Sequence, residues 1–309
     1  MISASGWRTV FLSPHAFIVY SVLLGSANNV IGRAIVDEMP PFTLSAIRFL
    51  TAVIALVPLA LPALMRQREV FLRHWKFMVV MSVLGISVYN PAVYYALRTT
   101  TAVNASLLSA SMPVICLLLS WLFFRERATW LRGLGIVVSL VGVLATVTRG
   151  DPALLISLQI NEGDLLVLVG LLSWCVFTVN LRRLPAGLDP FAFMQVTMVI
   201  GLLAMSPLVV LELENGPTPN FSTDNIVAVL YLGIGVAVGA YYCWNRGVAG
   251  VGATVAAQYA YLSPIYASLL AVIFLGEAVH GFHLVSIVLI FLGIFLSTRP
   301  AAESKTAVP

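Results

Sequence analysis

Charge is what this chain is short of. Asp, Glu, Lys and Arg together make up 10 % of its 309 residues, against about 25 % in a typical soluble domain. That shortage excludes a water-soluble globule. Cysteine is rarer still: Cys116, Cys175 and Cys243 all fall inside apolar runs. Their spacing supports neither a disulfide framework nor a metal site, so they read as small packing residues. The four histidines, His15, His74, His280 and His283, sit near the ends of apolar runs. His280 and His283 with Glu277 make a poor zinc set, and no acid–base constellation of the kind hydrolysis or acyl transfer needs is in view. No enzyme activity and no cofactor are therefore expected. Also missing is any Asp or Glu in the middle of an apolar run, the usual relay of a proton-coupled pump. The segment before His15, with only Arg8 and Trp7 to mark it, is not read as a cleavable signal peptide.

What the chain does have is apolar length: 60 % of its residues are hydrophobic. Runs able to span a bilayer, which takes roughly 17–25 residues, recur ten times: His15–Val36, Thr43–Leu64, Lys76–Leu97, Val103–Phe124, Leu131–Val147, Gly163–Leu184, Phe191–Leu211, Ile226–Gly247, Ala253–Leu275 and Phe282–Thr298. The fold class expected is all-α integral membrane. Basic residues set the orientation. With the N-terminus inside, Arg66, Arg68, Arg73, Lys76, Arg125, Arg127, Arg132, Arg182, Arg183 and Arg246 are cytoplasmic, while the outer loops are acidic. Both termini then face the cytoplasm. The net charge of +4 follows from that asymmetry and implies anionic lipid neighbours, not nucleic acid.

The chain also repeats itself. The stretch beginning at Tyr94 recurs from Asn245 to Ser297, without a gap, at a shift of 151 residues: Pro113 falls on Pro264, Phe123 on Phe274, Glu126 on Glu277 and Gly142 on Gly293. A fainter echo pairs Glu38–Phe42 with Gly187–Phe191. Two halves, 1–149 and 150–309, would hold five spans each. An odd count reverses the second copy's direction through the membrane, giving two inverted five-helix repeats around a central cavity and a route to alternating access.

Ile47-Arg48-Phe49, Asn104-Ala105-Ser106, Pro113, Arg125-Glu126 and the glycine-rich fifth span together resemble the EamA-type transporters of the drug/metabolite transporter superfamily. The second copy repeats the signature as Ala253-Thr254, Leu262-Ser263-Pro264, Leu275-Gly276-Glu277 and Gly293, with Ser286 in place of Gly135. Tyr241–Gly247 and Tyr259–Pro264 further resemble YddG-type bacterial exporters of aromatic and other amino acids. The resemblance implies an inner-membrane carrier whose partners are small metabolites and lipids.

The polar residues inside the spans are few. Asn28 and Asn29 should face the bundle interior, since an unpaired amide in hydrocarbon costs several kcal/mol; helix–helix bonding and cavity lining both fit. Tyr89, Asn90 and Tyr94 are candidate cavity residues, Asn90 and Tyr94 sharing a helix face. Pro91 frees the carbonyl of Ser87. The alternative for Tyr94 and Tyr95 is the interfacial belt. Mid-span Trp174 is a cavity wall or packed core, and Gln258 and Tyr261, three apart, form another polar aromatic pair. Pro91, Pro113 and Pro264 are candidate hinges, static kinks being the alternative. Tyr241 and Tyr242 lie toward the inner end of span eight, where a gate or a belt fits as well as a site. Spans five and ten, with Gly135, Ser139, Gly142, Gly293 and Ser297, read as packing struts; Gly235 and Gly239 read as a close helix contact. Arg48 is the one clear cation deep in a span. Span two looks peripheral, so Arg48 is expected to snorkel outward, a carboxylate site being the alternative. A neutral, aromatic-walled cavity suits zwitterions or aromatic metabolites carried down a gradient, and one arginine is too few for phosphate esters. Export of drugs or other metabolites, with or without proton coupling, and a non-transporting assembly role are the rival functions.

Overall fold

A computed structural model describes residues 12–100, 105, 108–126, 129–148, 150–151, 161–266 and 281–298, among which there is no strand. The helices are α1 (Pro14–Ile35), α2 (Pro41–Arg73), α3 (Trp75–Ala96), α4 (Met112–Phe124), α5 (Trp130–Val147), α6 (Glu162–Asn180), α7 (Pro190–Asn215), α8 (Thr223–Val251), α9 (Ala253–Gln258) and α10 (Gly281–Thr298). Seven described helices, α1, α2, α3, α5, α6, α7 and α8, are long and apolar enough to cross a membrane; α4 and the Leu284–Thr298 part of α10 are shorter apolar helices. The fourth and ninth runs are interrupted. A turn at Ala110–Ser111 precedes α4, and a 3-10 turn, Tyr259–Leu262, follows α9. Pro113 and Pro264 lie just beyond these breaks, where a ring without an N–H starts a helix better than it continues one. Asn104, Ser106, Ser268, Glu277, His280 and the side chains of Asn29 and His283 lie outside the description.

Most of the long helices begin on a side-chain cap, α3, entered through His74, being an exception. Asn161 and Asp164 form a reciprocal capping box on α6, and the Asp189 carboxylate accepts from the Phe191 and Ala192 amides at 3.0 Å. Helix α2 begins at Pro40-Pro41 with no cap of its own. Glu212, in the last turn of α7, accepts from the Phe42 and Thr43 amides at 3.2 and 2.7 Å. A carboxylate there also opposes the positive end of the helix dipole. At the far end Gln67 of α2 accepts from the Asp189 amide and donates to the Gly187 carbonyl, both at 2.9 Å. The α2–α7 pair is therefore antiparallel and clasped at both ends.

Helices α5 and α10 also cross antiparallel. A Cβ on Gly135 would overlap the Gly293 carbonyl, one on Gly293 would overlap the Gly135 carbonyl, and one on Gly142 would come 3.0 Å from the Ser286 carbonyl. The Ser139 hydroxyl donates to the Ile290 carbonyl at 3.3 Å. Close backbone approach through small residues is how helices associate in lipid, which fits these two as struts. Gly235 faces only Tyr231 of its own helix and Gly239 meets the Leu24 side chain of α1 at 3.2 Å, so neither makes the close backbone contact expected of the pair. Gly233 does: it packs its backbone against Arg48 and Thr51 of α2, because the helix is wound more widely there and presents a different residue.

That wider winding occurs twice. Val83–Val88 of α3 and Tyr231–Ala240 of α8 are π-helical, at positions related by the 151-residue shift. Helix α1 packs on α8 and α3 on α6, α4 meets α9, and α2 lies against α7, α8 and α3. Span two keeps one face exposed, at Leu50, Ile54, Val57 and Leu61, and turns the other, which carries Arg48, onto α7, α8 and α3.

Candidate functional site

A cavity of about 930 Å3 runs into the bundle between α1, α3, α6, α8 and the two helix breaks. Its mouth is at the C-terminal ends of α1 and α3, where Arg33, Arg98 and Thr99 line it and Arg33 and Thr99 are exposed. Its other end is sealed. His15 Nδ1 lies 2.7 Å from the Tyr259 hydroxyl. Tyr242 stacks on Phe191 at 4.8 Å between ring centroids and meets Phe17 edge-on. Gly247 and Gly250 take Pro14 and Ile18 against their backbones.

Arg48 lies deep in the cavity wall, 1 % exposed. Its Nη1 is within hydrogen-bonding distance of Asn28 Oδ1 (2.9 Å), Asn90 Oδ1 (3.0 Å) and the Tyr94 hydroxyl (2.7 Å). Tyr94 in turn donates to Asn28 Oδ1 at 2.9 Å. Among the described residues no carboxylate lies within 4 Å of the guanidinium, and its Nε has no partner. The expected outward snorkel is wrong, because Arg48 stands on the inward face of α2, where its guanidinium is held by residues of α1 and α3. A buried ion without a counter-ion carries a desolvation cost of several kcal/mol, so neutral acceptors alone hold this cation.

The π segments aim the rest of the network. Gly85, within the first π segment, turns its carbonyl toward the network. It accepts from the Tyr241 hydroxyl at 3.0 Å and from Asn90 Nδ2 at 3.3 Å. Asn90 Nδ2 also donates to the Tyr241 oxygen at 2.9 Å. Asn90 and Tyr241 are 151 residues apart, as are Ala110 and Tyr261, whose hydroxyl donates to the Ala110 carbonyl at 2.9 Å. Equivalent residues of the two copies therefore meet at the cavity wall. Single π turns recur at functional sites.

The apolar side of the cavity is aromatic. Tyr89 stacks on Trp174 at 4.8 Å, and Trp174 contacts Phe177, Tyr241 and Trp244 at 5.2, 5.1 and 5.7 Å. The Trp244 indole donates to Thr178 at 3.2 Å.

Of the residues expected at the site, Asn28, Tyr89, Asn90, Trp174 and Tyr261 line the cavity, and Pro264 stands at its edge. Tyr94 does not line it. Fully buried, it braces Arg48 from behind, since the face it shares with Asn90 turns toward α2. Gln258 does not line it either; it is 0 % exposed, with neither amide atom partnered among the described residues. Pro91 is buried within α3 just past the π segment, and the helix runs on through it. The Ser87 hydroxyl donates to Gly201 of α7 at 2.8 Å. Trp244 was not expected at the site, and Arg48 and Tyr241 were expected there only as one alternative each. The repeat itself pointed to Tyr241, as the counterpart of Asn90.

Two copies of one helical unit around a polar cavity narrow the comparison with known proteins. A model of the EamA-like transporter family matches residues 12–148 and again 161–299. The chain belongs to that family. It is 26 % identical to the uncharacterized transporter YetK of Bacillus subtilis, over 96 % of this chain and 92 % of that protein. An uncharacterized transporter of Archaeoglobus fulgidus is 25 % identical over 92 % of this chain and 96 % of its own length. A crystal structure 20 % identical in sequence superposes with a TM-score of 0.74, covering 92 % of this chain and 95 % of that one. The fold is shared with that structure. Family membership and the apolar helices make this a multi-pass membrane transporter within the drug/metabolite transporter superfamily.

Proposed function

We propose that the protein carries small carboxylate-bearing metabolites across the bacterial inner membrane by alternating access, as an exporter whose flux follows the substrate gradient. Amino acids are the class that the family resemblance suggested. The observation that carries this is Arg48: a buried guanidinium in the cavity wall, without a carboxylate partner among the described residues, beside a stacked aromatic surface. A substrate carboxylate supplies the missing counter-ion through charge-assisted hydrogen bonds, and Tyr89 and Trp174 cover its body. An ionisable residue inside a membrane bundle is a functional group by default.

Ten spans in two inverted halves, 1–149 and 150–309, would support the motion. Contacts between equivalent residues and the paired helix breaks favour such an exchange of shapes between copies. With both termini cytoplasmic, the open end would face outward and the His15–Tyr259 seal inward. The test is counterflow of labelled carboxylates in liposomes holding the purified chain, with and without a pH gradient. Saturable exchange that ignores the gradient is expected; flux that follows protons would replace the facilitated cycle with a coupled one, and no exchange of any carboxylate would refute the substrate class.

A further inference from the structure

We infer that the cavity selects substrates of net negative charge over zwitterions of the same shape. This rests on the carboxylate-carrier proposal and sharpens it. Arg33, Arg48 and Arg98 line the cavity, and among its described lining residues there is no Asp or Glu. The two outer guanidiniums sit at the mouth and the third lies deeper, so an entering anion meets one sign of charge along its path. One of the three, Arg98, also reaches the last carbonyl after α1, donating to Val36 at 3.3 Å, which fixes its head group near the rim.

An α-ammonium would need an acceptor close to the guanidinium that holds the carboxylate. The acceptors there are already engaged. Asn28 Oδ1 takes hydrogen bonds from Arg48 and Tyr94, and Asn90 Oδ1 takes one from Arg48. The Tyr241 oxygen accepts from Asn90 while its proton goes to Gly85. A substrate ammonium would therefore be desolvated beside a like charge, with the second lone pair of Asn90 Oδ1 the acceptor left next to the guanidinium. An anion with the same aromatic body avoids that penalty. Specificity here is the difference between two affinities, and the repulsive element is built in.

Three probes separate charge from shape: 3-phenylpropanoate, L-phenylalanine and 2-phenylethylamine, which share a ring and a two-carbon chain. Binding is read as the ligand-induced rise in Tm of the purified full chain, and transport as inhibition of labelled 3-phenylpropanoate counterflow. The expected order is the acid ahead of the amino acid by about tenfold, equivalent to about 1.4 kcal/mol, with the amine not competing. Arg48→Gln should collapse the gap between acid and amino acid. If that variant does not fold, the wild-type series still decides. Phenylalanine equal to or ahead of the acid would overturn anion selection and leave the carboxylate carrier standing. Binding in the expected order without flux would overturn the carrier and keep the selectivity. Preference for the amine, or no binding by any probe, would overturn both.

Discussion

Supplying Arg48 with a permanent counter-ion should abolish substrate binding without unfolding the protein. Asn90→Asp does this with one atom, because Asn90 Oδ1 already lies 3.0 Å from Arg48 Nη1. With charge centres ~4 Å apart and an effective dielectric near 20, the new pair attracts by about 4 kcal/mol. A substrate carboxylate would have to displace that partner. At about 1.4 kcal/mol per decade, affinity should fall by two to three orders of magnitude. The fold loses the Asn90 Nδ2 donor to Tyr241 and Gly85, worth about 1–3 kcal/mol, and gains the pair, so Tm should hold or rise. Asn90→Leu is the comparison. It removes the same hydrogen bonds without adding charge, so it should lower Tm and weaken transport far less than the aspartate does. Counterflow in liposomes and thermal unfolding in detergent read the two quantities separately. Transport by Asn90→Asp within threefold of wild type would refute Arg48 as the receptor.

Other substitutions test the frame around that site. Tyr241→Phe leaves the Gly85 carbonyl and Asn90 amide short of a partner; a loss of about 1–3 kcal/mol should appear as a lower Tm with slower counterflow. Gly293→Ala drives a methyl into the Gly135 carbonyl and Ser139, and overpacking of about 1–3 kcal/mol should show in unfolding by SDS titration while substrate affinity is kept. Arg125 ends α4 at φ +56°, where the second copy has Gly276. Arg125→Gly should stabilise by about 1 kcal/mol, seen as a raised Tm, with transport unaltered.

Much of the frame was legible because the bilayer writes it into composition. Apolar run length gave the helices, and a gapless repeat gave the two copies. Tyr89, Asn90 and Trp174 could be found because a polar or indole group in mid-span must face protein. Arg48 was misplaced because a single span in the sequence does not say which of its faces turns inward. Its partners come from α1 and α3, and only packing brings them together. Tyr94 and Gln258 failed for a related cause: a shared helix face says which way residues point, not whether a cavity or a neighbouring helix lies there. The π segments have no composition of their own, so their effect on Gly233 and Gly85 was invisible.

Those widened turns make chain length a determinant of function. An α-helix advances about 100° per residue, so each π segment holds slack that sets the facing of everything beyond it. Removing one residue from Val83–Val88 would let α3 close into regular winding and swing Asn90 about a quarter turn or more from Arg48, with every span still long enough for the membrane. The same deletion in Tyr231–Ala240 would turn Tyr241 out of the network. Among relatives of equal hydropathy, a single insertion or deletion in either stretch therefore separates chains that keep this charged pocket from chains that keep only the fold.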